Sequence, residues 1–197
     1  MPLVADPPPF ASFEELEREA LACQRCPLAA GRTQVVFGVG DPTADLVFVG
    51  EGPGEQEDLQ GIPFVGRAGQ LLTRLIEGIG FTRDDVYIAN VVKCRPPGNR
   101  DPLPAEIDAC RPYLEAQLAF LDPKIVVTLG NFATKLLLET KEGITKLRGR
   151  EFPFRDGALL IPALHPSAVL RNGGAALAQA RADFVLVKRV LARARAS

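Results

Sequence analysis

The sequence predicts an α/β domain: three layers, α/β/α, around a mainly parallel sheet of four strands. Three observations carry that expectation. Short apolar runs at residues 45–50, 86–90, 125–129 and 158–163 read as buried strands. Longer stretches of helical periodicity separate them. The runs end in Gly50, Asn90, Leu129 before Gly130, and Ala163. Strands alternating with helices favour a parallel sheet covered on both faces. In such sheets the ligand crevice lies beyond the carboxyl ends of the strands.

The elements follow in order. Ser12 with Glu15 three residues on has the form of a capping box, opening a helix over 13–23. The first strand runs into a turn dense in glycine and carboxylates. Leu71, Leu72, Leu75, Ile76 and Ile79 mark a helix over 67–79 that stops at Gly80. A basic, Pro-rich loop follows the second strand, and Pro104 suits the first turn of a helix over 104–121. Helices are expected at 131–139 and 175–195. The last carries basic residues near its end, where they complement the helix dipole.

With 197 residues, 47% of them hydrophobic, the chain can bury one core. A single domain is expected over 12–197, after a Pro-rich arm at 1–11. The formal net charge of −1 gives no global basic signal, so any nucleic-acid surface must come from uneven charge distribution. No stretch is long and apolar enough for a membrane span, and the N-terminus lacks the pattern of a secretory signal. A soluble, cytoplasmic monomer is the expectation.

Cys23, Cys26, Cys94 and Cys110 are the four cysteines. In a reducing compartment they are not expected to pair as disulfides. The C-x-x-C pair places two sulfurs within reach of one metal centre. Four thiolates suit zinc or a [4Fe–4S] cluster, and spacing leaves both open; four unrelated buried thiols are the plain alternative.

Four polar segments fall at the predicted carboxyl edge. Gly50 to Asp58 is rich in glycine and carboxylate, and lacks the ending of a phosphate loop. Phe64, between Pro63 and Gly66, could stack on a flat ligand or be ordinary core. Asn90 offers a donor and an acceptor side by side, matching a pyrimidine edge, or it ends a turn. His165, the one histidine, could stabilise an oxyanion; no serine or cysteine elbow accompanies it. The basic runs 93–100 and 146–150 could bind phosphates or be solvated loops.

Taken together, G-E-G-P-G-E-x-E at 50–57, G-x-P-F-V-G-x-A-G at 61–69, N-V-V-K-C-R-P-P-x-N-R at 90–100 and H-P-S-A-V-L-R at 165–171 closely resemble family 4 uracil-DNA glycosylases of bacteria and archaea. The likeness runs from about Cys23 to Arg171. It implies that family's fold and a monofunctional DNA glycosylase that flips uracil from DNA and hydrolyses its bond to deoxyribose. It implies a [4Fe–4S] cluster on Cys23, Cys26, Cys94 and Cys110. By the same resemblance Glu51, Gly52, Phe64, Asn90 and His165 bind uracil. Glu51, His165 and Glu57 serve catalysis, with Glu57 and Asn99 organising a water network near Glu51. Arg100, Lys146, Leu170 and Arg171 meet DNA, Leu170 as the wedge that fills the vacated stack. Better-known uracil glycosylases carry a water-positioning aspartate where this sequence has Gly52. Competing expectations are a non-catalytic DNA-binding domain, a redox protein, and a sister glycosylase that accepts hypoxanthine or xanthine.

Overall fold

A computed structural model describes residues 9–196; the start of the Pro-rich arm, residues 1–8, lies outside the described residues. The strands are β1 (Val39–Gly40), β2 (Leu46–Gly50), β3 (Tyr87–Asn90), β4 (Ile125–Leu129), β5 (Phe152–Pro153) and β6 (Leu159–Ala163). The helices are α1 (Phe13–Leu21), α2 (Leu28–Gly31), α3 (Glu55–Gln60), α4 (Arg67–Gly78), α5 (Pro104–Leu121), α6 (Asn131–Leu137), α7 (Ile144–Leu147), α8 (Pro166–Asn172) and α9 (Gly174–Ala196).

The four expected strands form the parallel centre of the sheet, in the order β3-β2-β4-β6. Two strands of two residues each extend it antiparallel: β1 on β3 and β5 on β6. Among the described residues the sheet thus has six strands rather than four. Pairs this short carry no period, so the sequence does not announce them.

Side chains leave a strand on alternate faces, and each face here has its own core. Phe48, Ile88, Val127 and Ile161 pack with α4, α8 and α9. Val47, Val49, Ala89, Val126 and Leu160 pack with α1, α5 and α6. Phe48 stacks on Phe184 of α9, with centroids 5.5 Å apart. These are the three expected layers. The N-cap half of the expected capping box forms, Ser12 Oγ accepting the Glu15 N–H at 3.1 Å, while the Glu15 carboxylate reaches past Ser12 to the Ala11 N–H. Phe10, at the end of the arm, stacks on Tyr113 of α5 with centroids 6.2 Å apart.

Register sets the position of the site. Gly50 lies beside Asn90, Val49 beside Thr128, and Leu129 beside Ala163. The four parallel strands therefore end level, and the segments leaving them share one edge of the sheet.

Candidate active site

A cavity of about 470 Å³ opens at that edge, within the usual range for small-molecule sites. Glu51, Gly52, Phe64, Asn90 and His165 all line it, so five residues spread over 115 positions of sequence meet in one place.

The pocket floor depends on Gly50. A Cβ there would lie 2.5 Å from Asn90 Oδ1 and 2.6 Å from the Phe64 ring, so both side chains close over the bare backbone. Gly52 sits against Val92, where a Cβ would come within 2.7 Å of a methyl group. An aspartate at this position would need Val92 to move.

Asn90 is 2% exposed, and its Oδ1 has no hydrogen-bond partner in the protein. Buried acceptors are almost always satisfied, so an orphan lining a cavity is poised for a ligand donor. Its backbone is held from behind. The ammonium of Lys93 donates to the Asn90 carbonyl at 2.9 Å and to Gln117 Oε1. Lys93 is 2% exposed, and burial pushes its pKa down to about 8. The expectation that Lys93 belongs to a phosphate-binding run is thereby corrected: the ammonium faces the core, drawn in by acceptors that burial would otherwise leave unpaired.

His165 caps the N-terminus of α8. Its Nδ1 accepts the Ser167 backbone N–H at 3.2 Å and lies 2.7 Å from Ser167 Oγ. Because a backbone N–H only donates, Nδ1 is the unprotonated nitrogen and Nε2 carries the proton. Burial, reinforced by Arg171, lowers the pKa to about 4, so the ring is neutral at pH 7. Its centroid lies 5.8 Å from that of Phe64, with the planes 33° apart.

Glu51 is half-buried in the same cavity. Burial raises its pKa to about 7, and repulsion from Asp101 adds to the rise. Glu57 differs. One oxygen accepts the N–H groups of Val65 (3.0 Å) and Gly66 (2.9 Å), the other that of Gly54 (3.1 Å). This carboxylate clasps the first loop to the Phe64 loop. Glu57 also lines the cavity, so the same carboxylate that clasps the loops borders the space where the expected water would lie.

The expected DNA contacts divide. Arg171 lines the cavity mouth, and Leu170 beside it on α8 is 41% exposed, as a wedge must be. Arg100 also lines the mouth, but both its terminal nitrogens bind the buried Glu106, at 2.6 and 2.9 Å. That pairing ties the loop to α5 while the Arg100 side chain stays 38% exposed at the mouth. Asn99 accepts from Arg95 Nε at 2.6 Å and borders the cavity. Lys146 is exposed on α7 and does not border the cavity. In its run, Arg148 turns inward onto Asp183 of α9 at 2.6 and 3.0 Å, and the Arg150 guanidinium lies over the Phe152 ring. Of the run's three basic residues, Arg148 is thus tied into the scaffold, while Lys146 and Arg150 are exposed. The sequence assigns no role to Ser167 or Glu106, although their partners His165 and Arg100 stand two and six residues away, nor to Gln117 and Asp183, whose partners Lys93 and Arg148 lie far off in the chain.

The four cysteines ring one small, mostly apolar void between α1, α2, α5 and the loop after β3. Arg32 Nη1 and the backbone N–H groups of Lys93 and Arg25 approach the sulfurs of Cys94, Cys110 and Cys23, at 3.5, 3.3 and 3.5 Å. Among the described residues no three candidate ligands are gathered tightly enough for a single ion. Four thiols spaced around a void, with N–H donors to sulfur, are the donor set that a multi-iron cluster takes. The residues fit that group.

Comparison with known proteins agrees with this geometry. A family model described as the uracil DNA glycosylase superfamily matches residues 37–187. The chain is 51% identical over 161 residues to a type-4 uracil-DNA glycosylase of Thermotoga maritima, covering 81% of this chain and 84% of that protein. It is 47% identical over 169 residues to a type-4 enzyme of Sulfurisphaera tokodaii, covering 82% and 77%. A third type-4 enzyme, of Archaeoglobus fulgidus, is 43% identical over 166 residues, covering 81% and 83%. With its family fold and its pocket residues gathered at one sheet edge, the chain belongs to the uracil DNA glycosylase superfamily and, within it, to the type-4 uracil-DNA glycosylases.

Proposed function

We propose that the protein removes uracil from DNA by hydrolysing the N-glycosidic bond, leaving an abasic site for base excision repair. The observation that carries this reading is the unpartnered Oδ1 of Asn90 in the cavity. It matches a ligand N–H, as at N3 of uracil, and the amide group beside it can donate to O4. Phe64 supplies the stacking face, and the crowded floor around Gly50 disfavours the C5 methyl of thymine.

The chemistry follows from the charges. As the bond from C1′ to N1 breaks, its electron pair goes to the base and negative charge grows on O2. Neutral His165, with its proton on Nε2, donates a hydrogen bond to that oxygen. Positive charge grows on C1′, where ionised Glu51 and the DNA phosphates oppose it. Water then adds to C1′ and releases a proton. Glu57 keeps the two loops in register. Arg171 and Leu170 meet the strand beside the flipped nucleotide, and unstacking is the cost that binding must offset.

Cys23, Cys26, Cys94 and Cys110 would hold a [4Fe–4S] cluster. When bound it would cross-link the end of α1, the loop after β3 and α5, as structural metals stiffen small folds. A monomer is the proposed acting form. Among the described residues no helix is long and apolar enough to cross a membrane.

The test is incubation with a labelled oligonucleotide holding one U·G pair, followed by alkali, beside Asn90→Ala. Strand cleavage at uracil, weakened in the variant, supports the reading. An intact strand with retained DNA binding overturns it in favour of a binding module.

A further inference from the structure

Phe64 has a backbone φ of +54°, a left-handed conformation that a bulky side chain rarely adopts. Such a residue persists only where its surroundings over-determine it. The surroundings here are specific. Arg83, in the turn between α4 and β3, sends one terminal nitrogen to the Phe64 carbonyl at 3.0 Å and the other to the Pro63 carbonyl at 2.7 Å. The first nitrogen also lies 3.4 Å from Thr73 Oγ1, which donates to the Gly69 carbonyl at 3.0 Å. From the opposite side α4 presses on the same peptide. A Cβ on Gly69 would fall 1.8 Å from the Phe64 oxygen, so only glycine lets the helix come this close.

We propose that Arg83 is a positioning residue for uracil excision: from outside the cavity it clamps the Pro63 and Phe64 carbonyls and so fixes the plane of the Phe64 ring. The proposal rests on the reading of Phe64 as the face on which uracil stacks. A planar guanidinium suits the task, since it reaches two adjacent carbonyls at once, whereas an ammonium is a single point donor. Arg83 is half-buried and has Asp84 and Glu57 as acidic neighbours. Glu57 in turn accepts the N–H of Val65, on the peptide whose carbonyl Arg83 holds, and that of Gly66 on the next. Three consecutive peptides, from Pro63 to Gly66, are thus anchored by two side chains, and the ring has little freedom to tilt.

The test is a double-mutant cycle under single-turnover conditions on a U·G oligonucleotide, with wild type, Arg83→Met, Phe64→Ala and the double variant. Arg83→Met is expected to lower the rate at saturating DNA about 10-fold, with DNA affinity changed less than about 2-fold. In the Phe64→Ala background the same change should cost less than about 2-fold, because the ring it positions is gone. Arg83→Lys should recover part of the rate. Losses that multiply, or a loss confined to DNA affinity, would overturn the proposal. If Arg83→Met does not fold, Arg83→Lys enters the cycle in its place, with a smaller loss that Phe64→Ala must again absorb. A wild type that releases no uracil overturns the functional reading itself; an active wild type with multiplying losses overturns the positioning role alone.

Discussion

The backbone N–H of Ser167 points at Nδ1 of His165 across 3.2 Å, and the hydroxyl of the same serine lies 2.7 Å from that nitrogen. This places the imidazole proton on Nε2 and keeps the ring neutral, with burial lowering its pKa to about 4. His165→Ala should therefore reduce the single-turnover rate about 100-fold, the usual loss for one oxyanion donor. No acid limb from His165 is expected between pH 5 and 8. Stability should fall with acid. The folded pKa lies below the ordinary value near 6.5, so the unfolded chain binds more protons, and the loss accrues as pH drops from about 6.5 towards 4. Urea titrations of wild type and His165→Ala across that window would measure the difference.

Glu51 has the opposite sign of effect on activity and stability. Its pKa is raised to about 7, first by burial and then by Asp101. If ionised Glu51 opposes the sugar cation, kcat/KM should fall about tenfold per pH unit below that value. Asp101→Asn removes the repulsion and should move the limb to lower pH. The folded protein binds the extra proton between the ordinary carboxylate range and pH 7, so this group's contribution declines as pH rises through that interval. Glu51→Gln should accordingly be slower yet melt at a higher temperature at pH 8. A lower Tm in that variant would contradict the account.

Asn90→Ala removes the orphan acceptor in the cavity and should lower kcat/KM about 100-fold or more, since a site built around hydrogen bonds discriminates strongly. Free uracil should cease to inhibit the variant at concentrations that inhibit the wild type. The melting temperature should change little, because Oδ1 has no partner in the protein to lose.

Arg148 separates scaffold from DNA ligand. It pairs with Asp183, which is 1% exposed, and also donates to the Gln179 carbonyl. Arg148→Ala strands a buried carboxylate and should destabilise the fold by about 3 kcal/mol. Activity well below the new Tm should stay within about twofold of wild type, because surviving contacts set the site. Lys146→Ala should show the reverse: an unchanged Tm and a shallower salt dependence of DNA binding.

Cluster removal tests the cysteine assignment. Purified protein should carry about four irons per chain. Cys110→Ala should lose the iron and lower the Tm, because Cys110 joins α5 to the loop after β3. Full iron occupancy in Cys110→Ala would remove that residue from the ligand set.

Much of the architecture was legible in the chain. Apolar runs of five residues between helical stretches specify a parallel sheet, and burial on both faces leaves no other use for them. The motif segments located Glu51, Phe64, Asn90 and His165, because turn residues after strands must fall at one sheet edge. The helix after His165 was missed: seven residues opened by a proline show too little period to be read.

Charge was the feature least legible in the sequence. Lys93, Arg100 and Arg148 look alike as members of basic runs, yet each is held by an acceptor distant in the chain or buried: Gln117, Glu106 and Asp183. Local sequence determines which residues reach the edge, since strand period and turn chemistry are short-range. Whether a charge there is free for DNA or bound within the protein was decided only by tertiary packing, because burial leaves a polar group stable only beside a partner that the fold itself brings near.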